Sequence, residues 1–101
     1  MKRGTIERFE GSWSSGLATL VFQDGERVPC DNGPTARALI AAFGCAGGGH
    51  TIDNRRLRGK EVYWEWDDMG LVLGGLVAVD QLTADEVSKL DEVIRKEQTT
   101  R

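Results

Sequence analysis

Leu17-Ala18-Thr19-Leu20-Val21-Phe22-Gln23-Asp24-Gly25-Glu26-Arg27-Val28-Pro29-Cys30-Asp31-Asn32-Gly33-Pro34 is the stretch on which the fold turns. Leu17 to Gln23 has the β-branched and aromatic content of a strand. Asp24-Gly25 is a hairpin signal, because glycine takes the positive φ that tight β-turns require. Glu26 to Cys30 returns as the partner strand. Pro29 has no N–H for a ladder, so this strand is expected to stop there or to lie at a sheet edge. Asp31-Asn32-Gly33-Pro34 then turns the chain and starts a helix, since proline is tolerated in a first helical turn.

Working outward, Thr5-Ile6-Glu7-Arg8-Phe9-Glu10 reads as an earlier strand that stops at Gly11. Gly11 to Gly16 is a glycine/serine loop carrying Trp13. Downstream, Ala36, Leu39, Ile40 and Phe43 recur at helical spacing, and Gly44 is placed to end that helix in a left-handed conformation. Thr51 to Lys60 is irregular, anchored only by Ile52 and Leu57. Glu61 to Trp66 alternates, with Val62, Trp64 and Trp66 on one face and Glu61, Tyr63 and Glu65 on the other. Asp67-Asp68-Met69-Gly70 turns the chain into Leu71–Val79, an apolar run that Gly74-Gly75 should bend. Thr83 and Glu86 form a capping box, with Leu82 and Val87 placed as a staple. Val87, Leu90 and Ile94 make the stripe of a closing helix running from Ala84 to about Glu97.

Three strands, a helix and two strands is the element order of the OB-fold, a partly open five-stranded barrel. Gly4-Thr5-Ile6-Glu7-Arg8-Phe9 and the Asp24-Gly25 turn also resemble the cold-shock branch of that fold. The expected class is therefore α+β. It consists of a small five-stranded OB-like barrel with one helix between strands three and four, plus a C-terminal amphipathic helix. Five short strands would serve an SH3-like barrel equally well. The chain is read as one domain over 1–101, with the barrel in 1–80 and the helix of 81–98 packed on it. The cold-shock resemblance implies aromatic nucleic-acid motifs on strands two and three. Here strand two offers only Phe22 and strand three offers none, so the resemblance carries topology more than activity.

Composition bounds the function. The 101 residues are 40% hydrophobic and 29% charged, with a net charge of −3, as in ordinary soluble domains. Residues 1–79 hold 9 Lys/Arg against 10 Asp/Glu, and residues 80–101 hold 4 against 6. Overall charge therefore cannot hold nucleic acid, and any such binding has to rest on a local patch. The apolar run is too short to span a membrane, and nothing at the N-terminus reads as a secretory signal. The expectations are a cytoplasmic location and no membrane partner.

The strongest local patch is Arg55-Arg56-Leu57-Arg58-Gly59-Lys60 followed by Tyr63, Trp64 and Trp66. Single-stranded nucleic acid is held by cations on its phosphates and aromatic faces on its bases. The candidate binding residues are thus Arg55, Arg56, Arg58, Lys60, Tyr63 and Trp13. Against this, Trp64 and Trp66 alternate with acidic residues and could simply fill the core, leaving the arginines as a solvated loop. Cys30, Cys45 and His50, with Asp31 or Asp53, include zinc-ligand types. They lack the close paired spacing of structural sites, so no metal and no cofactor is expected. The Gly44–His50 loop follows a helix instead of preceding one, which is the wrong context for a phosphate cradle. With one histidine and no convergent acid/base set, no enzyme is expected. The leading expectation is a non-catalytic binding module for single-stranded nucleic acid. The alternative is a protein-interaction or assembly module, such as a homodimer using Trp13, the strand near Pro29 and the C-terminal helix.

Overall fold

The computed structural model describes residues 1–11, 16–48, 51–65 and 76–99. Trp13, His50, Trp66, Asp67, Asp68 and the Leu71–Gly75 part of the expected fifth strand lie outside the described residues. The elements are β1 (Lys2–Glu10), β2 (Leu17–Phe22), β3 (Arg27–Asp31), α1 (Asn32–Phe43), α2 (Asn54–Leu57), β4 (Glu61–Trp64), β5 (Val77–Ala78) and α3 (Ala84–Thr99). A single 3-10 turn, Val79–Gln81, joins β5 to α3.

The strands form one antiparallel sheet in the order β3-β2-β1-β4-β5. Among the described residues the sheet is not closed into a barrel, since its two edges, β3 and β5, are not paired. β1 is the shared strand. Its first half pairs with β4, from Lys2 opposite Trp64 to Thr5 opposite Glu61. Its second half pairs with β2, and the register slips by one between Ile6 and Arg8. An extra residue of this kind bends a strand and increases its twist, which lets β1 serve two neighbours in different directions. β1 begins at Lys2, three residues before the Thr5 start expected from composition, because pairing with β4 recruits residues of weak strand propensity.

The hairpin forms where Asp24-Gly25 predicts it. Gly25 adopts φ +92°, and the Asp24 carboxylate accepts from the Glu26 amide at 2.9 Å. β3 is an edge strand with Pro29 exposed, where a missing N–H costs no ladder bond. Gly44 ends α1 with φ 62° and ψ 35°, its amide donating to the Ile40 carbonyl at 2.8 Å.

One core cluster lies on the inner face of the sheet. Ile6, Phe9, Leu20, Phe22, Val28, Cys30, Val62 and Trp64 meet Ala36 and Leu39 of α1, along with Cys45, Ile52 and Leu57. Trp64 faces this core and stacks on Phe22, with ring centroids 5.7 Å apart and planes inclined by 21°. Gly4 is required there, since a Cβ at that position would lie 2.6 Å from the Phe22 ring. Cys30 and Cys45 are both buried free thiols, and burial raises the pKa of each.

Three expectations are corrected. Thr51–Lys60 is not wholly irregular, because it contains the one-turn helix α2. The described end of the Leu71–Val79 run is a two-residue strand that breaks into a 3-10 turn at Val79. Tyr63 does not face solvent opposite Trp64; it is fully buried on the outer face of the sheet, beneath α3.

α3 begins as its sequence predicts, with the Thr83 amide donating to Glu86 Oε1 at 3.1 Å and the Glu86 amide donating to Thr83 Oγ1 at 3.2 Å. Its contribution to packing is small. Val87, Leu90 and Ile94 are only half-buried, and none belongs to the core cluster. Partial burial of such side chains is worth about 1 kcal/mol each, so the apolar stripe contributes only a few kcal/mol before ordering costs, beside the polar contacts of Asp91 with Tyr63 and Arg3 and of Glu97 with the N-terminal amine.

Candidate nucleic-acid interface

The basic patch is carried by α2 and the turn after it. Asp53 caps α2, its Oδ1 accepting from the Arg55 amide at 3.1 Å. Leu57 plugs the turn into the core with no exposed surface. The side chain of Asn54 does what a further strand would do. Its Oδ1 accepts from the Phe9 amide at 2.8 Å, and its Nδ2 donates to the Phe9 carbonyl at 3.2 Å. Two backbone bonds continue the same line, from the Ile6 amide to the Lys60 carbonyl and from the Gly59 amide to the Ile6 carbonyl, each at 2.8 Å. Gly59 takes φ +86° to make this path, a conformation that costs most side chains free energy. The segment bearing the arginines is thereby fastened along the edge of bulged β1.

The cations project from this rigid base. The side chains of Arg55, Arg56 and Arg58 are 92%, 68% and 57% exposed, and Lys60 is half-exposed. Asp53 lies 3.5 Å from Arg55 Nε and 3.6 Å from Arg56 Nε, and Arg58 Nε lies 3.1 Å from Glu7 Oε1. Arg56 also donates to the Gly44 carbonyl at 3.3 Å, at the C-terminal end of α1. Exposed ion pairs of this kind are worth 0 to about 1 kcal/mol, so they do not lock the guanidiniums away from a competing anion. A phosphate oxygen pair matches the planar guanidinium fork.

Among the described residues the aromatic half of the expected site does not assemble here. Tyr63 is covered by α3, its hydroxyl donating to Asp91 Oδ1 at 2.6 Å and lying 3.3 Å from the Val87 carbonyl. Burial raises its pKa above the ordinary phenol value. Trp64 is in the core, and Trp13 lies outside the described residues. What the structure does bring together is Arg55, Arg56, Arg58 and Lys60. Asn54 is the residue that sequence reasoning missed. An Asp-Asn pair just before an Arg-rich turn was its only local sign.

The outer side of β1, β2 and β3, where an OB-type barrel would bind, offers less. Glu10 accepts from both Arg8 and Arg27, and these bonds, first that from Arg8, hold its carboxyl below the usual range. Among the described residues no group of three or more His, Cys, Asp or Glu is placed to hold a metal ion. A groove of about 600 Å³ lies between the start of β1, the end of β4 and α3, lined by Met1, Lys2, Trp64, Glu65, Ile94 and Glu97 and not by the α2 arginines. No protein-family model, curated protein or solved structure matches the chain.

Proposed function

We propose that this chain is a non-catalytic binding module on an OB-like framework that holds single-stranded nucleic acid by its phosphates along Arg55, Arg56, Arg58 and Lys60. The observation that carries this reading is the exposure of three arginines from one turn that a side-chain amide fastens to β1. The framework supports it as well. A bulged β1 feeds both halves of the sheet, and α1 touches β3 and β5 alike, so the helix spans the seam at which a five-stranded barrel would close.

Binding through four cations should weaken with salt, with a log–log slope of about −3 at most, from roughly −0.7 per phosphate neutralised. A labelled oligothymidylate titrated at several salt concentrations measures that slope. An Arg55→Ala/Arg56→Ala/Arg58→Ala variant that keeps its circular dichroism spectrum should lose most of both affinity and slope. Unchanged affinity would sink the reading.

One observation favours a second reading, a protein-assembly module. Leu17 is 73% exposed at the mouth of the β2–β3 hairpin, beside the uncovered edge that carries Pro29. An isologous contact across that edge would show as a concentration-dependent dimer in sedimentation, abolished by Leu17→Asp.

A further inference from the structure

Arg58 and Tyr63 stand at two ends of one surface. Side chains alternate across a strand. On β1, Ile6 is buried in the inner core and Gly4 abuts the Phe22 ring. Arg3 and Thr5 therefore share the outer face, and at the bulge Glu7 and Arg8 both fall between the inward Ile6 and Phe9, which leaves the pair of them to the outer side. Arg3 sits opposite Tyr63 in the β1–β4 register, its guanidinium carbon 5.5 Å from the ring centroid. Glu7, at the other end, is the partner of Arg58. Arg3 and Glu7 are four residues apart, roughly 13 Å along the strand. The arginine turn and the Arg3–Tyr63 pair thus lie on one track across the outer face.

α3 covers the far end of that track and presents a carboxylate to it. Asp91 accepts from Tyr63 at 2.6 Å through one oxygen and from Arg3 at 2.8 Å through the other. This is the contact a phosphate would make with the same cation, while the Val87 carbonyl of the helix lies 3.3 Å from the Tyr63 hydroxyl and the whole side chain is buried beneath α3. Glu61 also holds Arg3, at 2.9 Å, and would stay on the track if α3 left. We propose that α3 is an autoinhibitory cover: docked, it withholds Arg3 and Tyr63; released, it extends the phosphate track by one cation and one aromatic face. The packing suits release, because among the described residues α3 adds nothing to the core cluster, and its apolar stripe is only half-buried. This inference rests on the nucleic-acid reading above.

Tyr63→Phe in the full chain is the decisive variant. It removes the hydroxyl that binds Asp91, keeps the ring and alters no charge. Amide hydrogen exchange across 84–98 should quicken, and oligothymidylate should bind roughly tenfold more tightly, the scale of one base–aromatic stack. Tyr63→Ala should quicken exchange without the gain in affinity. Should that variant unfold, Asp91→Ala, which breaks the clamp and spares the ring, should match or exceed Tyr63→Phe. Unchanged exchange in Tyr63→Phe overturns the clamp, and faster exchange without tighter binding overturns the cover. An equal gain in Tyr63→Ala overturns the role of the ring. If the wild type binds through its arginines and Tyr63→Phe shows no gain, only this inference fails. If neither protein binds, the function proposed above fails with it.

Discussion

Replacing Asn54 with alanine tests how the arginine turn is held. The Asn54 amide occupies the place of a ladder partner for Phe9, accepting from its N–H and donating to its C=O. Alanine removes both bonds at a partly buried position. Each such bond is worth about 1 kcal/mol net, and leaving a buried partner unsatisfied costs roughly 1–3 kcal/mol. Better helix propensity at α2 returns only a few tenths. The expected loss is about 2–3 kcal/mol. For a chain of this size it should lower the melting temperature by roughly 10–20 °C. Urea unfolding followed by tryptophan fluorescence measures the first quantity and thermal circular dichroism the second. Asn54→Asp provides the internal control. It keeps an acceptor for the Phe9 amide but sets a carboxylate against the Phe9 carbonyl, so it should be at least as unstable as the alanine variant. Oligothymidylate affinity should fall in both, measured at a temperature where they remain folded, because the arginines lose their base. A destabilisation below about 0.5 kcal/mol, the range of a neutral surface change, would show that water serves Phe9 as well as the amide does.

Two further outcomes follow from local geometry. Gly4→Ala places a methyl 2.6 Å from a Phe22 ring that is itself stacked on Trp64; overpacking of that kind costs about 1–3 kcal/mol, and a urea midpoint equal to wild type would contradict it. The seating of α3 should also depend on pH at both extremes. The hydrogen bond from Tyr63 is the first cause holding the Asp91 carboxyl below its usual range. Its contribution is therefore complete above the ordinary carboxylate pKa and lost as pH falls through the lowered one. Tyr63 is raised, first by burial, so its contribution is complete below the ordinary phenol pKa and lost as pH rises through the raised one. Ultraviolet titration of the single tyrosine should give an apparent pKa above that of free tyrosine, and an ordinary value would contradict the clamp.

Much of the local architecture is legible in the chain because its causes lie within a few residues of each other. Asp24-Gly25 specifies a hairpin through one positive φ and one side-chain acceptor. Gly44 ends α1 because glycine alone enters the left-handed region without penalty. The Thr83/Glu86 capping box starts α3 by satisfying amides that a helix terminus leaves open. The arginine patch was also legible, as a run of like charges around one apolar anchor. α2 itself was not. A single turn has no intrinsic stability, and this one persists because Leu57 is buried and Asn54 is joined to Phe9, 45 residues away.

The sequence by itself determined the order of the strands and of the two long helices, the hairpin turn and helix-cap positions, and the clustering of Arg55, Arg56, Arg58 and Lys60; for the Pro29 strand it left a choice between stopping at the proline and lying at an edge. These are short-range properties of backbone conformation and charge. Only the tertiary structure decided which surfaces those elements leave open. Trp64 and Tyr63 are adjacent and both aromatic, and alternation says only that they point to opposite faces. One is buried because the core lies on its face. The other is buried because Asp91, 28 residues later, brings a helix over it. Whether a side chain is a platform or a packing residue depends on what covers it, and that contact is made at a distance no local pattern records.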